Sequence, residues 1–366
     1  MTEVIRVNAA QPEPAVIQAA AERLRAGDLV AFPTETVYGL GVHALKPAAV
    51  RRLFAAKGRP ATDPLIVHVT SLDDAVPLVA GLPEEARRLA ARFWPGPLTL
   101  VMHRSRDVPD EVTAGLETVA IRAPAHPVAR ALLAAAGVPI AAPSANLFSR
   151  PSPTHASHVL DDLRGLIDLV LDAGPTAVGV ESTVLDLTSD PPVVLRPGAI
   201  TLEMLRDVLP HVRVFARATP APELPKPSPG MLERHYSPRT PLTLYEGRAD
   251  AAIACLLRDA RGARALGHTV GIVSADEDRD RMPMQESGFR VIELGSSADL
   301  PTVASRLYAA LRELDASSVD VILARAFPAA EGLGLAVQDR LRRAAAGRIV
   351  NADEREPTHH RSGRGE

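Results

Sequence analysis

The sequence predicts a two-domain α/β protein, and three observations carry that prediction. From residue 15 to 210, short apolar runs alternate with Ala/Leu/Arg-rich segments of helical spacing, the pattern of strands layered with helices. Seven of the 33 prolines then fall between Pro220 and Pro241, a composition that sustains neither a helix nor an interior strand. Beyond them the alternation resumes, and at 366 residues the chain exceeds the size at which one hydrophobic core stops growing.

The first domain, 1–212, is expected to hold strands at Leu29–Phe32, Leu65–His68, Leu98–Met102, Val119–Arg122, Ile140–Ala142, Leu169–Asp172, Ser182–Asp186 and Val193–Arg196. Helices are expected at Ala15–Ala26, Pro47–Ala56, Glu84–Phe93, Val128–Ala136, Ser157–Leu163 and Leu202–Leu209. Residues 213–241 read as a proline-rich linker, stiff and extended by composition. In 242–350, strands at Leu242–Tyr245, Val270–Val273, Val291–Leu294 and Val319–Leu323 and helices at Ala251–Leu257, Val303–Leu314 and Leu335–Ala345 predict a small Rossmann-like domain. The tail 351–366 is polar and aperiodic, and is expected to be disordered.

Composition narrows the function. Aromatics make up 3%, so the core must be aliphatic. The 41 basic and 44 acidic residues leave a formal charge of −3, without the basic excess of a nucleic-acid-binding domain. The single Cys255 excludes an intrachain disulfide and a cysteine-based zinc site, and reads as a buried structural residue. MTEVIRVNAA lacks a signal peptide's pattern and no segment approaches about 20 uninterrupted apolar residues; the expectation is a soluble protein of the cytoplasm.

Polar residues gather at strand boundaries. Phe32-Pro33-Thr34-Glu35-Thr36-Val37-Tyr38-Gly39-Leu40-Gly41 reads as a turn at a strand end, either ligand-binding or merely capped by its threonines. In Lys57-Gly58-Arg59-Pro60 two cations flank a glycine without side-chain bulk, suited to phosphate oxygens or to solvent. Asp63-Pro64-Leu65-Ile66-Val67-His68 follows, ending in an imidazole that serves a ligand or the core. Arg122 closes an apolar strand and needs an anionic partner, a structural carboxylate or a substrate's. Ser144-Ala145-Asn146, Pro151-Ser152-Pro153-Thr154, Glu181-Ser182-Thr183-Val184 and Leu195-Arg196-Pro197-Gly198 add hydroxyls and a further cation. His155 and His158 share a helix face but no third metal ligand is evident. There is no GxxxxGK[ST], GxSxG or HExxH, and Gly332-Leu333-Gly334-Leu335-Ala336 lacks the third glycine of a dinucleotide fingerprint. By themselves these residues support phosphate-ligand binding.

In order, PTETVYGLG, KGRP with DPLIVH, AIRAP, APSAN, PSPT, ESTV and LRPG resemble the motifs of the threonylcarbamoyl-AMP synthase, or YrdC-like, family. SPGMLERHYSP and GLGLAVQDRLRRAA resemble its longer, two-domain branch. The resemblance implies a YrdC-like twisted mixed sheet followed by the Rossmann-like domain. It implies a nucleotidyltransferase that makes threonylcarbamoyl-AMP and pyrophosphate from L-threonine, bicarbonate or CO2, and ATP, with magnesium. The product would pass to a separate tRNA-modifying complex, so neither stable tRNA binding nor a membrane is required.

By matched motif, Thr36, His68, Arg122 and Ser182 resemble the threonine contacts. Lys57, Arg59, Asp63, Thr118, Ser144, Ser152, Arg196 and Tyr236 resemble the ATP contacts, with Lys57 and Arg59 the candidate catalytic cations and Tyr236 folding back over the nucleotide. Two departures stand out: Asp63 where Asn is usual, and Leu232-Glu233 where a basic and aromatic pair is common. The resemblance leaves two rivals, a noncatalytic RNA-binding module and the carbamoyl-transfer domain of hydrogenase maturation; balanced charge, few aromatics and the lack of a cysteine-rich zinc segment count against them.

Overall fold

The computed structural model describes residues 1–215, 235–328 and 332–355. The first part contains strands β1 (Glu3–Arg6), β2 (Val30–Pro33), β3 (Tyr38–His43), β4 (Ile66–His68), β5 (Leu98–His103), β6 (Thr118–Arg122), β7 (Ile140–Ala141), β8 (Leu169–Asp172), β9 (Thr183–Asp186), β10 (Val193–Arg196) and β11 (Arg213–Val214). Its helices are α1 (Pro14–Ala26), α2 (Pro47–Lys57), α3 (Leu72–Ala75), α4 (Glu84–Phe93), α5 (Asp110–Thr113), α6 (Pro127–Ala136), α7 (Ala156–Leu163) and α8 (Leu202–Arg206). The second part holds β12 (Leu242–Glu246), α9 (Ala249–Ala265), β13 (Val270–Ser274), β14 (Phe289–Glu293), α10 (Leu300–Ala316), β15 (Val321–Arg325), α11 (Gly334–Ala345) and β16 (Ile349–Asn351).

One mixed sheet runs β1-β8-β2-β3-β7-β4-β6-β5-β9-β10-β11. Alternation along its strands serves two cores: in β2, Val30 and Phe32 join the cluster under α1 and α6, while Ala31 faces the cluster that receives α2, α4 and α7. A second, all-parallel sheet runs β14-β13-β15-β12-β16, likewise with a core on each face. Its parallel pairing explains why β13 and β15 are almost continuously apolar.

Helix boundaries follow local chemistry. α1, α2 and α6 begin with proline at the first turn, where its missing N–H leaves no bond unmade. Gly58 ends α2 at φ 62°, and a Cβ there would meet nothing within 4 Å. Its role is therefore the left-handed turn that swings Arg59 out of the helix, not the removal of bulk.

The structure corrects several expectations. Phe32–Gly41 is not one turn but a hairpin of β2 and antiparallel β3. Arg213–Val214, expected in the linker, pairs with β10. Asn351, expected in the disordered tail, pairs with Glu246 in β16, and Ala352 is buried behind it. Of the expected linker, His235, Tyr236 and Ser237 are buried; residues 216–234, with Leu232 and Glu233, and tail residues 356–366 lie outside the described residues. Cys255 is buried in α9. No helix among the described residues is long and apolar enough to cross a membrane.

The two sheets are joined by a continuous core in which Val37, Val180 and Tyr236 pack with α10 and α11. At Gly179, φ +77°, a Cβ would lie 2.4 Å from the Ser305 Cα. Only glycine allows α10 to press against this segment of the first domain.

Candidate active site

The ends of β2, β4, β6 and β10 and the loop at 142–144 converge on a cavity of about 50 Å³. Of the residues singled out in the sequence, Thr36, Arg59, His68, Arg122, Ser144, Ser182, Arg196 and Tyr236 line it, together with Thr34, Glu181 and His235. The motifs are distant in sequence, and the mixed sheet brings them together because β4 and β6 are parallel neighbours, with His68 opposite Arg122.

On one wall, the Thr34 and Thr36 hydroxyls lie 2.8 Å apart, and Arg122 donates from Nη1 to Thr36 Oγ1 at 2.9 Å and from Nε to the Gly96 carbonyl at 3.2 Å. Arg122 Nη2 stands 2.6 Å from Glu35 Oε1. The structural carboxylate is thus present, and the sequence reading had not assigned it. Burial raises the Glu35 pKa, but the charge and hydrogen bond of Arg122 and the Ala125 N–H outweigh it, leaving the carboxyl below its ordinary value. His68 is held neutral, its pKa lowered to about 3 by burial and then by Arg122.

On the other wall, Arg196 donates to the Ser182 carbonyl and hydroxyl at 3.1 Å each, and Ser182 Oγ lies 2.8 Å from Thr99 Oγ1. Arg59 reaches the carbonyls of Asp63 and Pro64 at 3.1 and 2.8 Å and pairs with the Asp63 carboxylate at 2.9 Å. The Asp63 anion is therefore neutralised locally. The buried His235 reports the field here: burial first, then Arg59, Arg343, Lys57 and Arg196, push its pKa well below the ordinary value. Three arginines, Arg59, Arg122 and Arg196, thus line one pocket of a chain of net charge −3, two of them paired with the Asp63 and Glu35 carboxylates.

Four proposed contacts stand elsewhere. The Lys57 amine does not line the cavity; it is buried and donates to the Ser144 and Asn146 carbonyls, fixing the loop that bears Ser144. Asp63 is the partner of Arg59. Ser152 is fully buried and donates to Glu181. Thr118 opens β6 while Arg122 ends it, which places them about 13 Å apart at about 3.3 Å per residue.

Tyr236 is packed into the site in a left-handed conformation, φ 58°, a strained state for a residue with a bulky side chain. Its ring lies 4.0 Å from that of His235 and 5.5 Å from that of Tyr308. Around the cavity, Arg122 Nη2 and Glu35 Oε1 are held by their mutual ion pair, while His235 Nδ1 and Tyr236 Oη are buried without a hydrogen-bond partner. Such groups cost free energy, so their concentration here marks a surface built to bind polar atoms of a ligand. Glu35, Glu181 and His235 lay inside quoted motifs, but their pairing depends on contacts that sequence spacing does not display.

Residues 22–198 match the family model described as Telomere recombination, and residues 200–346 the model described as Threonylcarbamoyl-AMP synthase, C-terminal domain. A threonylcarbamoyl-AMP synthase of Pyrococcus abyssi is 45% identical over 91% of this chain and 95% of its own. One of Bacillus subtilis is 45% identical over 92% and 95%. Among solved structures, Sua5 of P. abyssi complexed with L-threonine is 42% identical, with a TM-score of 0.87 over 96% of this chain and 99% of its own.

Proposed function

The chain belongs to the threonylcarbamoyl-AMP synthase family, and on that premise we propose that it joins L-threonine, bicarbonate or CO2, and ATP into threonylcarbamoyl-AMP and pyrophosphate. The observation that carries this reading is the pocket in which the threonine-type and ATP-type motifs meet, walled by Arg59, Arg122 and Arg196. The enzyme is a nucleotidyltransferase on this reading. Its product goes to a separate tRNA-modifying complex in the cytoplasm, and serves N6-threonylcarbamoyladenosine formation.

Threonine's amine adds to carbon dioxide and loses a proton, giving a carbamate. A carbamate oxygen then attacks the α-phosphorus of ATP, and the bond to the bridging oxygen breaks as pyrophosphate leaves. Arg122 faces the amino acid carboxylate with the N–H groups that Gly96, Thr36 and Glu35 leave over. Neutral His68 and the hydroxyls of Thr36 and Ser182 orient threonine without adding charge. Arg59 and Arg196 neutralise developing negative charge on the phosphates, the term that dominates such reactions. Lys57 acts through the Ser144 loop, and Ser152 through Glu181.

His235 and Tyr236 line the pocket, and on this reading they close over the bound nucleotide and exclude water from the mixed anhydride. Magnesium is proposed to accompany ATP. Among the described residues no group of three or more His, Cys, Asp or Glu could hold a metal, and Asp63 is paired with Arg59. An ion of this type is commonly carried by substrate phosphates.

The test is pyrophosphate release by the purified full chain, with the adenylate identified by mass. Release should require threonine and bicarbonate together. Release that ignores either one, or salt-sensitive RNA binding without turnover, would overturn the reading.

A further inference from the structure

Glu181 lies on the cavity wall beside Ser182, yet most of what holds it comes from the second domain. Ser152 donates to its Oε1, while its Oε2 accepts from Tyr308 Oη at 3.0 Å and from Arg340 Nε at 2.8 Å. Arg340 is fully buried, and its guanidinium also sits 5.3 Å from the centre of the Tyr236 ring. α10 grips the neighbouring loop as well, since Arg312 donates to the Pro151 carbonyl next to Ser152. Tyr308 from α10 and Arg340 from α11 thus reach into the first domain and meet on the Glu181 carboxylate, while Arg340 Nη1 also donates to Asp339 at 2.8 Å.

An anion on the wall of a polyphosphate pocket opposes binding unless it has its own countercharge. Arg340 is the first cation acting on Glu181 and Arg196 the second. If Arg340 were absent, Glu181 would keep its hydrogen bonds from Ser152 and Tyr308 but lose the cation bonded to it at 2.8 Å. We infer that Arg340 and Tyr308 are positioning residues for the reaction of the first domain: they neutralise and orient Glu181, whose charge on the pocket wall would otherwise oppose the phosphates of ATP. The inference rests on the ATP-dependent reading above, and it gives the second domain a part in ATP recognition without a ligand of its own.

The experiment uses the full chain, first showing threonine- and bicarbonate-dependent turnover in the unmodified protein, so that failure of the reading and failure of the inference are separable. Arg340→Met should raise the KM for ATP by about tenfold or more while the KM for threonine changes little. Glu181→Gln in the Arg340→Met background should restore most of the ATP KM, because the charge that needed neutralising is gone. Tyr308→Phe, which removes one hydrogen bond and keeps the ring, should raise the ATP KM a few-fold. Equal changes in both KM values, additive effects in the double variant, or an ATP KM unmoved by Arg340→Met would overturn the inference. Should Arg340→Met not fold, Tyr308→Phe decides: a selective rise in ATP KM supports the proposal and an unchanged one refutes it.

Discussion

Both sheets carry arginines and carboxylates at their strand ends, but the two sets are arranged in opposite ways. In the second domain Arg325, at the end of β15, forms two bonds to the Asp278 carboxylate at 3.0 and 2.9 Å and a third to Ser297, while Glu277 accepts from Ser296 and from the Ser297 N–H. In that cluster the charged groups answer one another, although Ser274 Oγ and Glu293 Oε1 at the ends of β13 and β14 are buried without a hydrogen-bond partner. In the first domain Arg122 and Glu35 form a buried ion pair at 2.6 Å, yet the neighbouring His235 Nδ1 and Tyr236 Oη have no hydrogen-bond partner. Strand ends of α/β sheets are the usual place for ligands; what separates the two clusters is that Arg122 lines the pocket beside the unpartnered His235 and Tyr236 atoms, whereas Arg325 is spent on Asp278 and Ser297.

The largest effect expected from this contrast is on stability. Arg325 and Asp278 are 6% and 7% exposed, so Arg325→Met leaves a buried unpaired carboxylate and should cost about 3–5 kcal/mol. Chemical denaturation should show that loss, while kcat/KM per folded molecule stays near that of the unmodified protein. A variant of full stability with lost turnover would reverse the comparison.

Arg122 should behave the other way. Arg122→Ala with Glu35→Gln, which avoids stranding the carboxylate, should raise the KM for threonine about 10- to 100-fold, from the loss of a charge-assisted interaction of about 1.5–3 kcal/mol. The ATP KM should change less, and the melting temperature should fall modestly. Calorimetry that finds threonine affinity intact would make Arg122 a structural ion-pair partner like Arg325.

The smallest effect concerns pH. His68 has a folded pKa of about 3 against an ordinary 6.5, so the unfolded chain takes up a proton first as pH falls. The stability linked to its neutral form is complete above pH 6.5 and is lost progressively toward about 3. His68→Gln should therefore flatten the dependence of Tm on pH in that window. An unchanged slope would show that the imidazole is not held neutral by its surroundings.

Much of the fold was legible because its signals are local. α4, β8 and β10 match the expected ranges at both ends, where periodicity and turn residues agree. β3 was read as a turn since Gly39 and Gly41 interrupt its apolar run, although the hairpin needs a glycine at 41: a Cβ there would lie 2.7 Å from Phe32. The edge strand β1 has no fully buried residue, and β16 only half-buried or exposed ones, so neither carries an apolar pattern to find.

By itself the sequence determined the order of strands and helices, the separation into two α/β halves and the set of polar motifs at strand boundaries, because each depends on residues a few positions apart. Tertiary structure alone decided how those motifs divide the work. Lys57 and Arg59 are two residues apart, yet the amine of one is turned to the Ser144 and Asn146 carbonyls and the guanidinium of the other to the cavity. Glu181 meets Arg340 across 159 residues. A charge's role is set by the nearest opposite charge and by how much water is excluded around the pair, and both are properties of the packed chain that no spacing in the sequence records.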